Sequence, residues 1–170
     1  SLKYEPEGDL ASERRQVTRE QLAEERTALA LQLEGQGVYA AARNEFRMAL
    51  LLDESSAEAA AGMDRALREA LAAELLRDAE WRILRKEYEL ARAALTEGRD
   101  LTQQQVEAFD EMQHVLDESL LGDLYDRARL FESDQQYEAA IAIYAELLER
   151  APYFRDAIAR LGKPAITARY

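Results

Sequence analysis

The sequence predicts an all-α protein in which long and short helices alternate, with about seven helices in all. Its composition is the first observation: Ala, Leu, Glu and Arg dominate the 170 residues, whereas Gly and Pro number only 7 and 3. Val and Ile are scarce, which disfavours a sheet. The third observation is an internal repeat, in which 49 residues separate Tyr39 from Tyr88 and Tyr88 from Tyr137.

Three other sets of residues recur at the same spacing of 49 residues. Two of them contain only alanine, and the third contains large side chains. A small residue on each of two facing helices lets their backbones approach, and a ring beside the turn fills the space where the helices diverge. We therefore expect a helical hairpin in each of three units, 8–56, 57–105 and 106–154. The sets are Ala30, Ala79 and Ala128; Ala42, Ala91 and Ala140; and Phe46, Leu95 and Tyr144.

Helix ends follow from capping signals and apolar stripes. The capping box Ser55-Ser56-Ala57-Glu58 predicts one helix start, Thr102 with Gln105 predicts a second, and the segment 133–136 predicts a third. The break at 84–86 has no Gly or Pro and rests on the repeat, so one continuous helix there is the alternative. We expect long helices near 10–34, 56–84 and 103–132, short ones near 37–52, 86–97 and 135–150, and a terminal one near 153–161.

The short-helix segments resemble the second helix of a tetratricopeptide repeat. Gly37-x-Tyr39-x-x-Ala42-x-x-x-Phe46 carries the resemblance in the first unit, and Gln136-Tyr137-Glu138-Ala139-Ala140 carries it in the third. The middle unit departs from the pattern, with Lys86 where glycine is usual. That family's unit has about 34 residues, so each unit here carries about 15 more, which we assign to the first helix.

The resemblance implies a right-handed solenoid of antiparallel helical hairpins. Residues 8–154 would form one repeat domain, between an N-terminal tail at 1–7 and a C-terminal capping helix and tail at 155–170. The first half of the first long helix has no earlier neighbour in such an array. We expect that half to be polar and exposed, or else to meet a partner.

In that family the first helices line a concave surface that holds peptides. The matching positions here are mixed, apolar and acidic, and they lack the Lys, Arg and Asn set with which part of the family grips carboxylate termini. An apolar segment with basic flanks, or a neighbouring helix, suits them better. The positions are Glu24, Thr27, Leu31, Glu34, Ala73, Leu76, Glu80, Ile83, Gly122, Tyr125, Arg129 and Glu132. We predict partner contacts at Leu31, Leu76, Glu80, Ile83, Tyr125, Arg129 and Glu132.

Aromatic side chains suggest two further packing expectations. Trp81 stands in one unit only, and we expect it to pack in the core or at the edge of the groove, with a ligand anchor as the alternative. A C-terminal group is expected to be buried under the last short helix, because an array end must cover its apolar face. This group consists of Tyr125, Phe131, Tyr153 and Phe154.

The net charge of −12 argues against nucleic acid and anionic membrane as partners, because phosphate surfaces need a basic face. It fits a solvated acidic surface or a partner with a basic patch. No apolar run reaches the roughly 20 residues that span a bilayer, so we expect no membrane insertion. Because the sequence starts at Ser1, a preceding signal or anchor segment stays open.

Few residues suit catalysis or metal binding. There is no cysteine, and His114 is the only histidine. Glu111 and His114 share a helical face, but a carboxylate-bridged metal pair needs a second such motif. Gly35-Gln36-Gly37 lacks the Gly-Lys-Ser/Thr ending of a phosphate loop and is typical of a helix end followed by a turn. We therefore expect no cofactor, no metal and no enzymatic activity.

The sequence hypothesis is a non-enzymatic scaffold that binds a protein or peptide, as part of a larger bacterial assembly. Two alternatives stay open: a structural spacer that self-associates into a homo-oligomer through its long helices, and a metal-carboxylate enzyme. We expect a soluble protein, with the bacterial cell envelope, the periplasm and the cytoplasm all open as compartments. The bacterial origin rests on the excess of Arg over Lys.

Overall fold

A computed structural model describes residues 7–162, with side chains from residue 10 onward, and these residues form seven helices and no strand. The predicted tail at 1–7 and the end of the predicted segment 155–170 lie outside the described residues, apart from Glu7. The helices are α1 (Glu7–Gly35), α2 (Tyr39–Leu52), α3 (Ala57–Leu84), α4 (Tyr88–Leu101), α5 (Val106–Ser133), α6 (Tyr137–Arg150) and α7 (Ala157–Leu161).

The repeat governs the helix boundaries. The short helices α2, α4 and α6 each have 14 residues and begin at the three tyrosines, 49 residues apart. The long helices α3 and α5 each have 28 residues and begin 49 residues apart. The predicted break near 84–86 is confirmed, because α3 ends at Leu84 and α4 begins at Tyr88.

The turn inside each hairpin is also repeated. Gly37, Lys86 and Gln135 have φ angles of 75°, 62° and 59°, which is left-handed backbone. In the first turn the N–H of Gly37 donates to the carbonyl of Glu34, and the N–H of Val38 donates to that of Leu33. The same two bonds recur in the other turns, so each long helix ends in a Schellman motif.

The predicted columns form the interior. All six alanines of the two alanine sets are 0% exposed, and Phe46, Leu95 and Tyr144 are at most 3% exposed. The hairpin of α1 and α2 is antiparallel: Arg26 pairs with Glu45 at 2.8 Å, whereas Arg19, earlier in α1, donates to the carbonyl of Leu51, later in α2. Because the six alanines are small and fully buried, they set the spacing between neighbouring helices, as expected.

The described chain divides into two compact units. The first comprises the described residues up to Leu75 together with Glu97–Val106, and the second comprises Leu76–Thr96 together with the described residues from Glu107 onward. In the first unit, α2 packs on the start of α3. The core cluster there joins Ala30, Ala42, Phe46, Ala49, Ala59 and Ala66.

The second unit has its core between α5, α6 and α7. Tyr144 and Leu147 of α6 and Ala157 of α7 belong to one buried cluster. Ala157 follows Ala108 by 49 residues and Ala108 follows Ala59 by 49, so α7 stands in register with the start of a long helix. The terminal helix thus continues the repeat while it covers α6.

Several local predictions were wrong. Helix α4 ends at Leu101 rather than near 97, and it includes Gly98, which is buried within the helix instead of ending it. The segment 133–136 provides no side-chain cap for α6, and the backbone bonds of this turn instead satisfy carbonyl groups at the end of α5. Tyr153 is 90% exposed rather than buried, and Trp81 is 66% exposed, which excludes a place in the core but not one at a groove edge. The residues that surround Trp81 and Tyr153 in the sequence do not indicate that these two side chains point to solvent.

Candidate functional site

A groove of about 300 Å³ lies in the first unit, along one face of α1 and beside the α2–α3 turn. Its floor is apolar, because Ala23 and Ala28 contribute only methyl groups and Leu31 is 41% exposed. Four carboxylates surround this floor. The lining residues are Glu20, Ala23, Glu24, Thr27, Ala28, Leu31, Asp53, Ser56 and Glu58.

Local structure explains how the groove is built. Thr27 points its hydroxyl back to the carbonyl of Ala23 at 2.9 Å, so this side chain does not compete for a ligand. Asp53 accepts hydrogen bonds from the N–H and hydroxyl of Ser55, which fixes the turn. Ser56 accepts from the N–H of Ala59, which confirms the predicted helix start.

The groove is strongly acidic. No Lys or Arg lines it, and none of its four carboxylates forms an ion pair within residues 10–162. Glu20 accepts only a neutral hydrogen bond, from Gln16 at 3.0 Å. Like charges that share a concave surface produce a negative potential, which attracts cations. The arrangement therefore favours a ligand with a cationic group and an apolar body.

A separate polar network stabilises the first unit. Glu69 is 1% exposed and accepts hydrogen bonds from the Thr102 hydroxyl, from the N–H groups of Gln103 and Gln104, and from the Gln105 side chain. Burial opposes its charge, but these hydrogen bonds outweigh burial and hold the pKa of Glu69 below its ordinary value of 4.5. Glu69 thereby caps the turn that leads into α5.

Glu34 belongs to the same network rather than to the groove. Arg65 donates to both oxygens of Glu34, at 2.6 and 2.8 Å, and the Gln104 amide donates to one of them at 3.0 Å. This pairing raises the pKa of Arg65. The inner-surface position at Glu34 is therefore closed by the protein's own arginine.

The second unit contains six of the seven predicted partner contacts. Glu80 and Arg129 are exposed, Leu76 is half-buried, and Ile83 is 7% exposed. Tyr125 is 6% exposed, and its ring lies edge-on to Tyr144 and Phe154. Glu132 pairs with Arg160 at 3.1 Å and accepts a hydrogen bond from the Tyr144 hydroxyl at 2.9 Å.

Tyr125 and Glu132 are tied together by the terminal helix. Arg160 donates to the Tyr125 hydroxyl and to Glu132, and Tyr125 donates to Asp156. The hydrogen bonds from Tyr125 and Arg160 hold the pKa of Asp156 below its ordinary value. These groups fix α7 in place, a role that the repeat pattern did not indicate.

A wider groove in the second unit, of about 480 Å³, includes Ile83 and the turn before α4. There Asp123 accepts hydrogen bonds from Lys86 at 2.8 Å and from the Tyr88 hydroxyl at 2.9 Å. Burial and this bond raise the pKa of Tyr88 to about 12, whereas Lys86 and Tyr88 outweigh burial and lower that of Asp123. In this groove Lys86 pairs with Asp123 and Arg155 pairs with Asp126, whereas no basic residue lines the first groove.

The structure thus brings three of the predicted inner-surface positions, Glu24, Thr27 and Leu31, into one groove. Sequence reasoning missed Glu20, Asp53 and Glu58. The spacing of Glu20 and Glu24 on one helix face could have indicated the first of these. Asp53 and Glu58 join the groove only through the α2–α3 turn, which no pattern specifies.

Across residues 7–162, no helix combines the length and the apolar character needed to cross a bilayer. The same part of the chain contains no group of three or more His, Cys, Asp and Glu side chains placed to hold a metal ion. His114 lies in a groove of about 330 Å³ with Arg92, Arg150 and Asp117.

Comparison of the chain with family models, with curated proteins and with solved structures finds no match. The fold and the groove define the class: an all-helical protein of hairpins with a 49-residue period, one of whose units presents an acidic groove with an apolar floor.

Proposed function

We propose that this chain is a non-enzymatic interaction module of the tetratricopeptide type, which docks a protein segment carrying Lys or Arg beside an apolar side chain. The observation that carries the proposal is the groove of the first unit. Four carboxylates without ion pairs in the described chain surround Ala23, Ala28 and Leu31 there. A Lys or Arg stem packs on apolar surface while its charged group reaches a carboxylate.

The position of the groove supports the tetratricopeptide assignment. Its floor lies on α1, the first helix of a hairpin, and in that family first helices line the peptide surface. Glu24, Thr27 and Leu31 occupy the positions that the resemblance implies. The assignment and the bacterial assembly to which such a module would belong are both part of the proposal.

A fluorescent peptide of alternating Lys and Leu tests the function. Fluorescence anisotropy would measure its dissociation constant for the wild type and for Glu24→Lys/Glu58→Lys, which reverses two groove charges. We expect the variant to bind at least about tenfold more weakly, since about 1.4 kcal/mol corresponds to a factor of ten. Added salt should also weaken wild-type binding.

The matched control is Glu25→Lys/Glu149→Lys, which makes the same change in net charge at exposed sites outside the groove. Binding that both double variants weaken equally would show an effect of net charge alone and would count against the groove. Failure of the wild type to bind both this peptide and a helical peptide with Lys on one face would refute the proposal.

A second candidate function is self-association, favoured by one observation. Trp81 and Leu84 lie one helical turn apart in α3 and are 66% and 73% exposed. Exposed aromatic and leucine side chains of this kind are frequent contacts in interfaces. Light scattering coupled to size exclusion would show a dimer or higher oligomer that Trp81→Ser dissolves; a monomer at high concentration would remove this candidate.

A further inference from the structure

The first half of α1 carries an exposed face that continues the groove. Leu10 and Val17 are 60% and 52% exposed, and every residue from 10 to 22 is exposed. This outcome confirms the expectation that the first half of the helix is exposed, within the described residues. Leu10, Glu13, Val17, Glu20 and Glu24 follow one another at spacings of three and four residues, so they lie on one face of the helix.

The repeat shows what such a face packs against. Leu10, Glu13 and Val17 precede Ala59, Gly62 and Ala66 by 49 residues. In α3 these three positions are buried by the short helix α2: Ala59 and Ala66 share a core cluster with Phe46 and Ala49, and the Phe46 ring lies on Gly62. The equivalent place on α1 is empty within the described chain.

The side chains on α1 specify a different helix from α2. Leu10 and Val17 are larger than Ala59 and Ala66, so at equal packing density the covering helix must offer smaller apolar side chains. Glu13 stands where Gly62 receives Phe46, so the covering residue there should be a Lys or Arg rather than an aromatic. Glu20 and Glu24 extend the same requirement into the groove.

We infer that the docked segment is an amphipathic helix, with small apolar residues and Lys or Arg at helical spacing, which lies along α1 in the place of a preceding short helix. This inference rests on the proposed function, because the helix enters the same groove. Charge complementarity and the packing of α2 on α3 select this occupant.

The probe is a labelled alanine-based peptide of about 18 residues with Ala and Lys at helical spacing on one face, long enough to form a helix. Its control has one central Ala replaced by Pro, which breaks the helix at unchanged charge. We expect the proline peptide to bind at least about tenfold more weakly. Val17→Asp and Glu13→Lys should weaken the helical probe at least about tenfold, whereas Leu22→Asp and Glu25→Lys, on other faces of α1, should change binding less than about twofold.

The outcomes separate the two proposals. If Glu24→Lys weakens both peptides while Val17→Asp and the proline change have no effect, the groove binds an extended segment and the helix inference is wrong. If neither the helical peptide nor its proline control nor the alternating Lys and Leu peptide binds the wild type, the proposed function and the helix inference both fail. If the wild type self-associates and Val17→Asp abolishes this, a second copy is the occupant and the inference is wrong. Circular dichroism of each variant confirms that it is folded.

Discussion

The ring of Phe46 lies directly on Gly62, so that a Cβ at position 62 would stand 2.4 Å from two ring carbons. Phe46 is 0% exposed and cannot move aside without disturbing the core of the first unit. A glycine inside a helix normally destabilises it by about 1 kcal/mol relative to alanine. Here the close approach of α2 and α3 requires it.

The first prediction concerns this contact. Gly62→Ala should lower the free energy of unfolding by about 1 to 2 kcal/mol, because overpacking outweighs the gain in helix propensity. Urea denaturation followed by circular dichroism measures the change. In a Phe46→Leu background the cost should shrink, because the smaller side chain leaves space.

Gly122→Ala is the matched control. A Cβ at this position in α5 meets only the end of Arg155, at 3.7 Å. The same substitution should therefore raise the free energy of unfolding, by about 0.5 to 1 kcal/mol. Stabilisation by Gly62→Ala as well would contradict the packing described for α2 and α3.

A second prediction concerns the carboxylate of Glu69. Glu69→Ala should cost roughly 3 to 5 kcal/mol, because it leaves the Thr102 hydroxyl and two backbone N–H groups without their acceptor. Urea denaturation measures this cost as well. Glu74→Ala, at an exposed position of the same helix, should stay within about 0.5 kcal/mol of the wild type. Equal losses of stability in Glu69→Ala and Glu74→Ala would show that the hydrogen bonds of Glu69 contribute nothing specific.

A third prediction follows from the lowered pKa values of Glu69 and Asp123. A carboxyl whose pKa is lower in the folded state binds fewer protons there than in the unfolded state at acidic pH. Its contribution is present above the ordinary pKa and is lost as pH falls through the folded pKa. The free energy of unfolding should therefore decrease as pH falls from about 5 to about 3. In Glu69→Gln the decrease should be smaller; an unchanged pH profile would contradict the account.

A fourth prediction concerns the left-handed turns. Gln135 has a φ of 59°, which costs a residue with a Cβ about 1 kcal/mol. Gln135→Gly should stabilise the protein by about 0.5 to 1 kcal/mol, and Gly37→Ala, at the equivalent position, should destabilise it by a similar amount. Thermal denaturation of both variants checks the pair. Changes of the same sign would argue against a shared turn geometry.

Much of the fold could be predicted, because a repeated contact leaves a repeated residue. Tyr39, Tyr88 and Tyr137 mark the starts of the short helices, and the alanine columns are buried as expected. The break at Lys86 was predictable only by comparison between units, since its own sequence has no glycine. The end of α4 was not predictable, because glycine ordinarily marks a helix end, whereas Gly98 lies buried inside α4.

The candidate site was predictable only in part. The positions of Leu31 and Glu24 in the groove could be predicted from their register on α1. Asp53 and Glu58 could not, because they belong to a turn and to the next helix. The outward direction of Trp81 and the role of Tyr125 in holding α7 depend on which neighbours meet them. A pattern in one chain indicates that a face is apolar or polar, but not what covers it.

The most direct test of the central claim is site-specific crosslinking in the groove. A photoreactive amino acid in place of Ala28, on the groove floor, would be irradiated with the labelled alanine-based helical peptide, and the same residue in place of exposed Ala145 of α6 would serve as the control. The account predicts a crosslinked product at position 28 that Glu24→Lys/Glu58→Lys removes, and none at position 145. Equal crosslinking at both positions, or none at position 28, would contradict it.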